Sequence, residues 1–151
     1  MSVRNFALTG GLLMLTMGCF AFIPELNSGL DSLPVLYVNS SYGLFLDLFP
    51  MNIFNKIIFI FLGIAGMASY FSKNKSIYYS VIFSKAVFWI LSSATILGML
   101  SQTNTLSGYC PLFGNAVFIH GFFAIVGGYF AYLAPREVTS YRHNHQNMHN
   151  I

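Results

Sequence analysis

Three ionisable side chains interrupt the apolar stretches of this chain: Lys56, Lys85 and His120. A charge or an imidazole inside a hydrocarbon-like segment is costly unless it pairs, reaches water or serves a function, so these are the first places to look for chemistry. His120 lies near the front of the stretch Phe113–Leu133, and Ala124, Gly127 and Ala131 follow it at i+4, i+7 and i+11. That spacing puts the imidazole on a small-residue stripe that turns toward neighbouring helices. There it could relay a proton, ligate a metal or haem, contact a ligand, or hold two helices together by a hydrogen bond. The hydrogen bond is the expectation. With one imidazole in the apolar stretches, a single chain cannot supply both axial ligands of a bis-histidine haem.

An earlier stretch, Phe49–Phe71, reads as a relative of Phe113–Leu133. Phe54, Lys56 and Gly63 repeat the spacing of Phe118, His120 and Gly127. Lys56 thus takes the place of His120 in depth. A cation one turn into a helix needs a partner or water; Asp47 is a nearby carboxylate, and snorkelling to headgroup level is the competing account. With Asn115, which opens the last apolar stretch, Asp47, Lys56 and His120 form a candidate polar ligand site at one mouth of a bundle. Gly63, Gly127, Ala124 and Ala131 are the expected close-packing positions. Lys85 is expected to snorkel. His143, His145 and His149 sit in a polar tail with no neighbouring Cys or carboxylate to pre-organise a metal site.

Other catalytic signatures are missing. The sequence has no Ser-His-Asp set, carboxylate dyad, HExxH or phosphate-cradling glycine loop. Cys19 and Cys110 form no metal motif and no disulfide framework, although a bridge between them is conceivable. No catalytic residue, cofactor or metal site is therefore expected.

The elements that must position these groups follow from composition. Hydrophobic residues make up 56% of the 151, and charged residues only 7%, against about 25% in ordinary soluble domains. The apolar residues come in four long blocks, which predicts membrane spans at about 6–23, 53–71, 77–100 and 116–133. Connections at 24–52 and 101–115 would lie on one side, and a polar tail at 136–151 on the other. The tract Tyr42–Phe49 is too short to span and suits a short interfacial helix or a half-buried loop.

Arg4, Lys73, Lys75, Arg136 and Arg142 all fall on one side of a four-span arrangement, while the two opposite connections carry no Lys or Arg. That segregation predicts cytoplasmic termini. The fold class expected is an all-α, up-down bundle of four transmembrane helices, made of two helix-loop-helix pseudo-repeats. Seven Lys and Arg without a basic run give no nucleic-acid surface. The expected partners are the lipid bilayer and, through the glycine faces, a second copy or another membrane protein.

Four stretches carry a resemblance. They are Gly18 to Pro24, Tyr42 to Asn52, Leu62 to Gly66, and Asn104 to Asn115 followed by His120. Together they resemble a bacterial family of small four-span membrane proteins known as domain of unknown function 4383. The resemblance covers about residues 4–134 and implies an integral inner-membrane protein without an established reaction. Its pattern has two histidines one turn apart in the second helix, where this chain has Asn55 and Phe59; of the family histidines, His120 alone is matched. Three functions follow as expectations. The first is a non-enzymatic structural, partner- or lipid-interacting subunit. A small transporter or ligand-binding bundle comes second, and an accessory subunit of a membrane redox complex third.

Overall fold

A computed structural model describes residues 1–29 and 33–134. It is mostly helical, with α1 at Val3–Phe20, α2 at Ile53–Phe71, α3 at Ser76–Met99 and α4 at Asn115–Gly128. The last helix continues through a π turn at Tyr129–Leu133. Counting that turn with α4, four helices are long and apolar enough to cross a membrane.

The helix ends follow local chemistry. Ser2 caps α1 by accepting from the Asn5 N–H at 3.3 Å, so the helix begins at Val3 and not at residue 6. It stops at Phe20, before Pro24, because residues 21–26 tighten into turns with Pro24 opening a short 3-10 turn. Asn52 and Asn55 form a reciprocal capping box at the start of α2, which satisfies amides that helix geometry leaves orphaned. The Ser76 hydroxyl donates to the Tyr70 carbonyl at 2.9 Å and fastens the short turn between α2 and α3.

Small residues bring the helices to backbone contact. A Cβ built on Gly63 would stand 2.5 Å from the Leu15 nitrogen, and one on Gly66 2.7 Å from the Ala7 carbonyl oxygen. On the facing helix, a Cβ on Gly11 would meet Gly63 and Met67, and one on Gly18 would meet Ile60 and the Lys56 carbonyl. Higher numbers on α1 face lower numbers on α2, so the pair runs antiparallel. Between α3 and α4, Gly127 lies against Ser84, Val87 and Phe88, and Gly121 against Thr95. Stripes of small residues let dispersion act across helices where lipid offers no hydrophobic drive.

At the opposite end from the α2 cap, Phe6 of α1 stacks on Phe130 of the π turn, with ring centroids 4.9 Å apart. The widened turn also aims Tyr132 outward, where its hydroxyl accepts from the Trp89 indole N–H at 2.9 Å. Lys85 is exposed, its ammonium 5.8 Å from the Tyr132 ring centroid.

The first connection corrects the all-α expectation. It folds into a three-stranded antiparallel sheet, β1 Asn27–Ser28, β2 Gly43–Phe45 and β3 Phe49–Met51, in that order. Phe45 pairs with Phe49 across a tight turn in which Leu46 and Asp47 adopt left-handed φ of 55° and 58°. In β2 burial alternates, with Gly43 and Phe45 inward, whereas in β3 Pro50 and Met51 are both buried; the turn residues Leu46, Asp47 and Leu48 are exposed. Pro50 is tolerated because β3 is an edge strand.

Candidate functional site

The polar residues at the start of α2 do not gather into one site. They divide between a clip, a cation perch and an imidazole cavity, according to the face of α2 that each leaves from.

The clip is Asn52. Its side-chain oxygen accepts from the Phe54 and Asn55 N–H groups at 3.1 and 3.4 Å. Its amide nitrogen donates to the carbonyls of Tyr109 at 2.7 Å and Val38 at 3.1 Å. One fully buried side chain thus caps α2 and ties both long connections to it. Two backbone bonds reinforce the tie, Val38 N–H to the Gly108 carbonyl at 3.2 Å and Ile53 N–H to the Ser40 carbonyl at 3.0 Å. The Asn55 amide adds a bond to the Pro111 carbonyl at 3.2 Å.

Lys56 leaves α2 on another face. It is 1% exposed, and its ammonium donates to the Ser41 hydroxyl at 2.8 Å. The nitrogen also lies 5.4 Å from the Phe22 ring centroid, within cation–π reach. Ser41 and Phe22 are themselves exposed, so they cover the Lys56 ammonium, which is buried beneath them and held by the Ser41 hydroxyl instead of standing free in water. The expected Asp47 partner gives way to Ser41: Asp47 sits exposed in the β2–β3 turn.

His120 is 4% exposed, and its Nδ1 has no hydrogen-bond partner. The expected helix-bridging bond is therefore not made at that nitrogen. The ring lies 6.2 Å, centroid to centroid, from Phe59. It lines a cavity of about 10 Å³ with Met17, Met51, Asn55, Phe59 and Ile119 among its walls. Lys56 is not in that wall. Asn55 and Phe59 are i and i+4 on one face of α2, and Lys56 is turned about 100° away from Asn55. Asn55 and Phe59, an amide and a phenyl ring, are the α2 residues that share this cavity with His120.

Asn115 is exposed at the first turn of α4. It edges an open apolar groove with Leu48, Phe118 and Phe122, which shares Phe49 and Ile119 with the His120 cavity. Of the three residues expected to share a site with His120, then, none lines its cavity. The four expected packing residues, Gly63, Gly127, Ala124 and Ala131, are all buried. Met17, Met51, Asn55 and Phe59 are the neighbours of His120 that sequence reasoning missed. The Asn52-x-x-Asn55 spacing of a capping box was the signal for Asn55. Among the described residues no group of three or more His, Cys, Asp or Glu is placed to hold a metal ion. The tail histidines His143, His145 and His149 lie outside the described residues.

Both cysteines are free thiols, Cys19 exposed and Cys110 buried. Burial pushes the Cys110 thiol up to about 11, an effect that the Asn55 side chain partly opposes. At pH 7 its reactive thiolate is then about one part in ten thousand. A membrane-permeant maleimide is expected to label Cys19 and to spare Cys110 until the protein is denatured, as read by intact mass. Prompt labelling of Cys110 in the native protein would contradict this packing of residues 101–114.

Neither the curated proteins nor the solved structures searched contain a match to this chain. The match lies at the level of family, over residues 4–133, and the helices, the Asn52 clip and His120 all fall inside it. The chain belongs to the family described as Domain of unknown function (DUF4383).

Proposed function

We propose that this is an integral membrane protein of the bacterial inner membrane without a catalytic site of its own. It acts as a structural subunit that contacts lipid or a membrane-protein partner. The observation that carries the reading is the outward face of the helices. Phe61, Phe118 and Ile125 are 68%, 77% and 75% exposed, and Trp89, Ile96 and Phe122 project in the same way. Such a surface is unstable in water and matched to hydrocarbon. The inward faces, by contrast, close on glycine and alanine.

The finer topology rests on the charges. An up-down four-span bundle with both termini cytoplasmic puts Arg4, Lys73, Lys75, Arg136 and Arg142 on the cytoplasmic side. The two connections joined by Asn52 would then face outward. Packing also supports two helix-loop-helix repeats, because Gly63 and Gly127 each press on the backbone of the preceding helix. The transporter reading has less support: among the described residues, Lys56 does not line the cavity beside His120.

Two measurements test the proposal. The full chain should stay in the pellet after alkaline carbonate extraction of membranes. A reporter fused after Ile151 should be active only in the cytoplasm, and one inserted near Gln102 only outside. Extraction by carbonate would end the integral reading, and an external C-terminus would end the topology.

A further inference from the structure

We propose that the cavity beside His120 is a site for a single soft monovalent cation, Cu(I) or its surrogate Ag(I). The ligands would be the thioethers of Met17 and Met51 and the imidazole of His120. The three side chains come from α1, β3 and α4, and they line one small cavity together with Asn55 and Phe59 of α2.

The Asn55 amide nitrogen is committed to the Pro111 carbonyl, and its oxygen accepts from the Asn52 N–H at 3.3 Å. Imidazole Nδ1 of His120 is buried with no partner. A buried polar nitrogen without a partner is costly, and a bound cation would satisfy it.

Water is a poor guest. A buried water makes about 2–4 hydrogen bonds, and with Asn55 engaged the cavity wall offers little beyond the imidazole. At about 10 Å³ the space beside His120 has room for one atom-sized guest.

The donor set then selects the ion. Calcium and magnesium require oxygen ligands, and no carboxylate lines this cavity. Structural zinc is held by thiolate, imidazole and carboxylate. Two thioethers with one imidazole are soft donors, and soft thioether sets select Cu(I). A monovalent ion also limits the charge placed in an apolar wall, and the Phe59 ring beside His120 offers a π face to a cation.

The test uses the full chain in neutral detergent, kept anaerobic, titrated with Cu(I) against a chromogenic Cu(I) chelator. His143, His145 and His149 are replaced by alanine in a parallel chain, so that tail binding is counted separately. One Cu(I) per chain is expected to persist in that background. Met17→Leu and Met51→Leu keep the volume of the side chain and lose the sulfur, and each should weaken binding at least about tenfold without altering thermal stability. His120→Gln should do the same. X-ray absorption of the loaded protein should report sulfur and nitrogen neighbours of copper. Binding that disappears with the tail histidines, or that ignores both methionine variants, overturns the site, as does failure to compete with the chelator. Carbonate extraction is indifferent to all of these outcomes, so the membrane reading stands or falls separately.

Discussion

Gly63→Leu is expected to be the most damaging single substitution at the contact between α1 and α2, lowering stability by at least about 3 kcal/mol. The reason is geometric. A Cβ at Gly63 would stand 2.5, 2.6 and 2.7 Å from the nitrogen, Cβ and Cα of Leu15. Two of those three atoms are backbone, so no rotamer change relieves the contact, and α1 must move away from α2 as a body. That movement would also open the Gly11–Gly66 contact, where the backbones already touch. Even Gly63→Ala carries the same clash. Gly127→Ala serves as the graded control: its Cβ would meet Ser84 and Val87 at 3.1 Å, close but within a few tenths of an ångström of ordinary contact. Gly10→Ala should be neutral or slightly stabilising, since only the Phe6 ring lies nearby, at 3.5 Å. Thermal unfolding in detergent, followed by circular dichroism, should rank the variants Gly63 worst, Gly127 next and Gly10 harmless. Equal melting temperatures for Gly63→Leu and the parent would refute the close approach of α1 and α2.

Sequence spacing marked Gly63 and Gly127 as equivalent, and the structure separates them. Helical periodicity identifies a small-residue face, because i, i+4 and i+7 neighbours share it. It cannot tell how near the facing backbone comes, since that depends on Leu15 or on Ser84 and Val87 in a different helix. The same distinction explains His120 and Lys56. Depth along the helix was legible from spacing, and rotation was not: one residue is about 100° of turn, enough to send Lys56 to Ser41 and leave Asn55 and Phe59 facing the imidazole. The four apolar helices were legible because hydropathy over about 20 residues is a strong signal. The little sheet was not. Its strands are two or three residues long, shorter than any alternation pattern can reveal. Its tight turn relies on left-handed Leu46 and Asp47, where glycine or asparagine is the usual cue.

Asn52 was legible as a helix cap, but its larger role could not be read from local sequence, because its second partner is 57 positions away. Asn52→Ala should cost about 3 kcal/mol or more, combining about 1 kcal/mol for a lost cap with at least about 1 kcal/mol for each of the two half-buried carbonyls left without a donor. The informative variant is Asn52→Asp. A carboxylate still accepts from the Phe54 and Asn55 N–H groups, and its charge suits the positive end of a helix dipole. If capping were the whole function, Asn52→Asp would match or exceed the parent in stability. It also removes both donor hydrogens and sets an anionic oxygen against the carbonyls of Tyr109 and Val38, now 2.7 and 3.1 Å from the amide nitrogen. The clip therefore predicts that Asn52→Asp is at least as damaging as Asn52→Ala, with both melting about 10 °C lower. Limited proteolysis should find the 101–114 connection cut faster in both variants, while the helices stay protected until they melt. A stable, protease-resistant Asn52→Asp protein would reduce Asn52 to a cap and leave the two connections to be held by the Val38–Gly108 and Ile53–Ser40 backbone bonds and the Asn55–Pro111 and Lys56–Ser41 contacts.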